Sequence, residues 1–220
     1  MKPLFLLLLF ASSGFAQSFR IGVEGGVPLT SAFNTQGPGA IPVVLPTGPP
    51  IYSSSTKRYT AGATAELDLP FHLAVKADLL YKRLGFGSAT LGPAGTTAAT
   101  TANSFELPLL GKYSVSKLGP LQPYVEGGVA FRTLQGVNQI AESVCPMCAV
   151  PLSQTSHPAE LSHTFNKGFA AGAGLEFRHL LVGVFGEIRY TRWTTDAFSA
   201  PNGLLNSTRN QADLLVGVTF

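Results

Sequence analysis

The chain has 220 residues, a formal net charge of +3, and 12% charged against 45% hydrophobic residues. A soluble domain carries about 25% charge, so a water-facing globule fits poorly, and without a basic run interleaved with aromatics the small positive charge does not point to nucleic acid. After the N-terminal segment no stretch reaches the roughly 20 apolar residues that a membrane-spanning helix needs.

Met1 and Lys2 open the chain with a basic start. An apolar run follows from Pro3 to Phe10, and small residues stand at Ala11, Ser12, Ser13, Gly14 and Ala16. This pattern predicts a secretory signal peptide over 1–16, cleaved after Ala16, with a mature barrel domain over 17–220. With no Cys at the cleavage point, a lipid-anchored N-terminus is not expected.

Eight segments then alternate with period two. The first, Phe19 to Val27, sets Phe19, Ile21, Val23 and Val27 against Arg20, Gly22, Glu24 and Gly26. The second, Arg58 to Leu69, sets Tyr59, Ala61, Ala63, Ala65 and Leu67 against Arg58, Thr60, Thr64, Glu66 and Asp68. The third runs from Phe71 to Arg83, the fourth from Asn103 to Val115, the fifth from Leu121 to Thr133. The sixth and seventh cover Phe165 to Phe177 and Leu180 to Trp193. The eighth ends the chain, with Ala212, Leu214, Val216, Val218 and Phe220 opposite Gln211, Asp213, Gly217 and Thr219; Leu215 is the apolar exception. An apolar stripe beside a small or polar one is what a strand between lipid and a polar lumen requires. The prediction is an all-β, eight-stranded antiparallel up-and-down transmembrane β-barrel, its first and last strands paired. The competing reading is a secreted β-sandwich, whose outer faces would carry more charge.

Short and long connections alternate. Pro70, the segment Ser116–Gly119 and the region of His179 make the short turns; 28–57, 84–102, 134–164 and 194–211 are long. Short turns are periplasmic and long loops extracellular in such barrels. Loop one is rich in Pro and Ser and loop two in Ala, Thr and Gly, so both are expected to be solvated and mobile.

The segments Phe-Glu-Leu-Pro-Leu-Leu-Gly-Lys-Tyr from Phe105 and Pro-Tyr-Val-Glu-Gly-Gly-Val-Ala-Phe from Pro123 resemble the outer membrane protein beta-barrel domain family. Its members include small eight-stranded barrels similar to OmpX and the OmpA transmembrane domain. The resemblance implies a bacterial outer-membrane location and makes Phe220 part of the signal read by the barrel-assembly machinery. It implies roles such as adhesion, stress response or structural anchoring, and it carries over no catalytic residue.

Parity places Arg20, Glu24, Arg58, Glu66, Lys76, Asp78, Glu106, Lys112, Glu126, Arg132, Glu176, Glu187, Arg189 and Asp213 inside, with Asp68, Lys82 and Arg178 beside them. Eight strands leave room only for side chains, and a buried unpaired charge costs several kcal/mol. A nearly balanced set therefore predicts an ion-paired, plugged lumen. A selective channel would carry an excess of one sign, and a narrow porin-like channel is the alternative. Outside, Arg83, Lys167 and Arg192 end their strands on the extracellular side, where contact with lipopolysaccharide phosphates and interfacial snorkelling are compatible readings. Tyr59, Tyr81, Phe131 and Tyr190 form an expected upper aromatic girdle; Phe19, Phe71, Tyr113, Phe177 and Phe220 form the lower one.

Cys145 and Cys148 in loop three predict a local disulfide in an oxidising compartment, with a zinc site completed by His157 and His163 as the lesser reading. His163 at the rim raises a lipid A-modifying enzyme as a third function, but the deacylase pattern places Ser two residues after the His, and Phe165 stands there. The expectation is a monomeric, cofactor-free surface scaffold or adhesin whose partners are outer-membrane lipids, lipopolysaccharide and a host or surface ligand at the loops.

Overall fold

A strand with alternating character buries one face only if the sheet curls on itself, and here it does. The computed structural model describes residues 18–35, 50–90, 95–115, 119–143, 152–179, 182–200 and 203–220. The expected leader at 1–16 and the Cys145–Cys148 segment lie outside the described residues. In chain order the strands are β1 (Phe19–Pro28), β2 (Phe33–Thr35), β3 (Ile51–Ser54), β4 (Thr60–Asp68), β5 (Leu73–Ala89), β6 (Thr96–Ser114), β7 (Leu121–Ser143), β8 (Ser153–Thr155), β9 (Phe165–His179), β10 (Val182–Trp193), β11 (Leu205–Ser207) and β12 (Asn210–Thr219).

Eight of them, β1, β4, β5, β6, β7, β9, β10 and β12, pair antiparallel in that order. The cylinder closes between β1 and β12, from Gly22 opposite Thr219 to Pro28 opposite Asp213. Phe220 extends the closure, exchanging backbone hydrogen bonds of 3.2 and 2.7 Å with Ile21. Closure leaves the eight-stranded cylinder itself without an edge whose amides would stand unpaired in lipid.

The faces are inside out relative to a soluble protein. Ile21, Val23, Leu79, Phe169, Val184, Ile188 and Val216 are exposed, while Glu66, Lys76, Asp78, Arg132, Glu176, Glu187 and Arg189 are all 3% exposed or less. An apolar outer belt with charges within suits hydrocarbon surroundings.

Three local features depart from the expectations. The first short turn is centred on Phe71 and His72, with φ of 63° and 66°, and Leu73 N donates to Pro70 O at 3.4 Å. Two successive left-handed residues make the turn that matches the strand twist of a two-residue hairpin; Phe71 therefore belongs to the turn, not to β5, and its exposed ring stands at that end of the barrel.

Next, β5, β6 and β7 run 17, 19 and 23 residues, where about 9–11 suffice to cross a bilayer. Much of the expected mobile loop two is ladder, from Leu84 opposite Ala102 to Ala89 opposite Thr97. Its threonines favour the extended chain. Leu84 and Phe86 continue the inward alternation, with Gly85 between them and Gly87 after. In β7, Gly136 (φ 58°) carries an extra residue: Asn103 pairs with Gln135 but Thr101 with Asn138. This bulge shifts the parity, so Leu134 and Val137 both point inward.

Finally, Arg58 is a correction to the expected lumen set. The β1–β4 ladder stops at Gly26 opposite Thr60, the chain bends at Arg58, and its side chain is exposed. The wall on that side ends at Thr60, two residues short of Arg58, so alternation carries no inward sense there.

Candidate functional site

The interior is layered, and each layer is set by which strands bring opposite charges to one height. Nearest the short turns, Arg20 reaches Glu176 at 2.6 Å, Glu66 at 2.7 Å and Asp68 at 3.1 Å. Lys112 meets Glu176 at 2.7 Å and Glu66 at 3.0 Å, and its Nζ lies 4.2 Å from the centre of the Tyr124 ring. Arg178 completes this layer, 2.9 Å from Glu176 and 3.6 Å from Asp68. Three cations face three carboxylates.

In the middle layer Lys76 stands 2.9 Å from Glu187, 3.7 Å from Asp78 and Glu126, and 3.9 Å from Glu24. Arg189 contacts Asp78 at 2.7 Å, Glu126 at 3.1 Å, and Glu187. The Tyr124 hydroxyl donates to Glu187 at 2.6 Å. Here two cations serve four carboxylates, and both Glu24 oxygens are buried without a hydrogen-bond donor.

The upper layer pairs Lys82 with Asp213 at 2.9 Å and Glu106 at 3.0 Å. Arg132 lies in register with Glu106 but stacks its guanidinium 4.3 Å from the centre of the Trp193 ring. The indole donates to Gln211 at 3.0 Å. Apart from Arg58, which is exposed, and Asp68 and Arg178, which are half-buried near the turn end, the lumen charges expected from parity are buried, and all of the inward charges but Arg132 have an ion partner within 4 Å.

Above these layers lies a feature that strand parity did not reveal. Phe33, Tyr52, Leu84, Phe86, Leu134, Val137, Ala197, Phe198 and Leu205 pack into one buried apolar cluster. Phe33, Phe86 and Phe198 meet edge to face at 5.2–5.8 Å, an arrangement that adds about 0.5–1.5 kcal/mol per pair beyond area burial. The loops that supply it are tied together. Strand β2 of loop one pairs with β11 of loop four, and Leu161 of loop three bridges to Phe198. Ser199 N donates to Glu160 O at 2.8 Å, and Thr208 N to Ala32 O at 2.8 Å. Loop one was expected to be solvated, but Phe33 is 3% and Tyr52 7% exposed. The signal that could have found this cap is isolated large apolar residues (Phe33, Tyr52, Phe198, Leu205) inside polar loops.

Glu160 is the charged residue at the edge of the cap. It accepts from Tyr52 Oη at 3.1 Å and from Gln139 Nε2 at 3.3 Å. Burial first, then the neighbouring Glu160 charge and hydrogen bond, push the Tyr52 hydroxyl up to about 12.

On the outer surface Arg83, Lys167 and Arg192 are all exposed. Arg83 lies across a backbone hydrogen bond from Lys57 (3.2 Å), and Lys167 O accepts from Thr194 N at 2.9 Å, which sets it beside the end of β10 that carries Arg192. Tyr59, Tyr81 and Phe105 form a row of rings at 6.4 and 5.5 Å, and Phe131 stacks on Phe165 at 6.2 Å. His163, raised as a catalytic candidate, is exposed with Nδ1 3.0 Å from the Asp196 carbonyl oxygen. Among the described residues no group of His, Cys, Asp and Glu is arranged to hold a metal, and the two cysteines fall outside that set.

The chain was compared with known proteins. The model of the outer membrane protein beta-barrel domain matches residues 15–196. Among solved structures, Neisserial surface protein A overlays with a TM-score of 0.46 at 10% identity, covering 93% of this chain and 98% of that one. OprG from Pseudomonas aeruginosa gives 0.47 at 14% identity over 93% and 95%. Ail, the attachment invasion locus protein of Yersinia pestis, gives 0.41 at 11% over 93% and 97%. No curated protein sequence matches. With the family model spanning most of a chain whose strands close into an inside-out cylinder, this protein belongs to the outer membrane protein beta-barrel domain family and resides in the bacterial outer membrane.

Proposed function

We propose that the protein is a monomeric surface scaffold whose lumen does not conduct and whose interlocked loops present a fixed face for adhesion to a host or surface ligand. The observation that carries this reading is the stack of ion-paired layers beneath an apolar cap: an ion crossing it would have to break buried pairs and then pass Phe33, Phe86 and Phe198. Charge desolvation in such a path costs several kcal/mol per step. Reconstitution in a planar bilayer should give no steps above baseline; stable single-channel openings would sink the closed-lumen reading. Binding of expressing cells to host surfaces, compared with cells lacking the protein, tests the adhesive half.

A second reading has one observation in its favour. The middle layer holds two more carboxylates than cations, and an acidic excess favours a narrow cation path. Openings that select cations, and that disappear in Glu24→Gln, would establish it. An enzymatic role draws no comparable support, because His163 is engaged by a backbone carbonyl and Phe165 stands where a deacylase-like serine would be. An unchanged lipid A acyl pattern in cells expressing the protein is the expected result. Recognition of Phe220 by the barrel-assembly machinery is part of the same reading.

A further inference from the structure

Among the described residues, Arg132 is the buried lumen cation without a carboxylate within 4 Å. It is 2% exposed, and its guanidinium lies 4.3 Å from the centre of the Trp193 ring. That contact serves one face of a flat cation. The donors of a guanidinium point outward from its edge, and there Nε and Nη2 are buried without an acceptor. Two cross-strand neighbours could have answered them. Glu106, opposite on β6, is drawn to Lys82 at 3.0 Å, which also holds Asp213 at 2.9 Å. Asn166, opposite on β9, turns its side-chain amide to Thr195, donating to the backbone O at 2.8 Å and to Oγ1 at 3.0 Å.

A further donor stands close by. Ser104 is one inward step along β6 from Glu106, opposite Leu134, and is 0% exposed. Its hydroxyl has no partner either. Arg132 and Ser104 therefore sit on adjacent strands one step apart, within the reach of long side chains across a sheet. Leu134, the next inward residue after Arg132, already belongs to the apolar cap.

A buried charge without a counterion is strongly destabilising, and the indole beside it and the apolar cap above it weaken screening further. Water would accept from these donors but leave the charge uncompensated. An anion does both. It must be small, because the cap closes over the site, and singly charged, because Glu106 and Asp213 lie below. We propose that Arg132 Nε and Nη2, with Ser104 Oγ, bind one monovalent anion of halide size on the floor of the cap. The site does not depend on the adhesive reading or on whether the lumen conducts.

The test uses the full-length protein in nanodiscs of zwitterionic lipid, with ionic strength held by gluconate, which is too bulky for the site. Iodide is titrated against the fluorescence of Trp193, the single tryptophan, which is 1% exposed and lies against the guanidinium. A heavy halide bound there quenches the indole. Quenching should saturate in wild type and vanish in Arg132→Met. Ser104→Ala should weaken it about tenfold, the scale of one hydrogen bond to a charged group, while Arg209→Gln, which changes an exposed arginine, should leave it unaltered. Neutral acrylamide should not quench. Replacing gluconate with chloride should raise the unfolding temperature of wild type, since a ligand of the folded state stabilises it, but not that of Arg132→Met. In gluconate Arg132→Met should unfold at or above the wild-type temperature, because a stranded charge is gone. The proposal is overturned if iodide quenching is linear without saturation, if Arg132→Met saturates as wild type does, if acrylamide quenches as well as iodide, or if chloride leaves the wild-type unfolding temperature unchanged, the result for a site that holds only water. Should Arg132→Met fail to fold, Ser104→Ala decides: an iodide affinity equal to wild type overturns the site.

Discussion

Replacing Arg189 with methionine probes the ion-paired interior at one of the two cations of its middle layer. Arg189 is 2% exposed and touches Asp78 at 2.7 Å, Glu126 at 3.1 Å, and Glu187. Its removal leaves Lys76 as the remaining cation near Glu24, Asp78, Glu126 and Glu187, and Lys76 comes within hydrogen-bond distance only of Glu187, at 2.9 Å. Removing one partner of a buried pair costs about 3–5 kcal/mol, chiefly because the stranded charge cannot reach water. Arg189→Met should lose that much stability. Arg189→Met combined with Glu126→Gln should lose less than the sum of the two single changes, since they share one contact. Urea unfolding in lipid vesicles reads both. The single tryptophan, Trp193, is 1% exposed inside the upper layer and reports its opening. A loss within about 1 kcal/mol, the scale of a surface ion pair, would refute the picture of a dry, ion-paired interior.

Two further outcomes follow from the cap. The Tyr52 hydroxyl is raised to about 12 by burial and by Glu160, above the value of about 10 for a free phenol. A group raised in the folded state contributes stability that is whole below the unfolded value and is lost as pH climbs through the folded one. The stability advantage of wild type over Tyr52→Phe should therefore stay level up to about pH 10 and shrink between there and pH 12; an advantage unchanged at pH 12 would contradict the assignment. Phe198, 1% exposed between Phe33 and Phe86, should cost about 3–5 kcal/mol when cut to alanine. That loss should appear locally, as faster hydrogen exchange of the Ala197 amide, which donates to Ser207 Oγ at 2.8 Å. Unaltered exchange there would show that the three loops are not held by this cluster.

Much of the barrel was legible because a strand records its two environments residue by residue. Ile21, Val23, Leu79 and Val216 against Arg20, Glu24, Asp78 and Asp213 need no partner strand to be sorted, and their alternation places the lumen charges. Alternation ceases to mark the faces where it ends or shifts. Arg58 lies past the last β1–β4 pair, Phe71 and His72 adopt left-handed φ without a Gly or Asn to announce it, and Gly136 resets the parity of β7. The pairing inside the lumen was not readable either. Arg20 and Glu176 are far apart in the chain, and their 2.6 Å contact depends on barrel closure.

The amino-acid order alone therefore determined the class, the number of spanning strands, the sense of each face and most of the buried charge of the lumen, because hydrocarbon and a narrow polar interior act on single positions. Only the tertiary structure decided which charges share a layer, that four carboxylates of the middle layer share two cations, and that loops one, three and four fold into an apolar cap. These depend on register, closure and the meeting of distant segments, where a hydrogen bond or an aromatic contact is made by residues whose neighbours in sequence carry no trace of it.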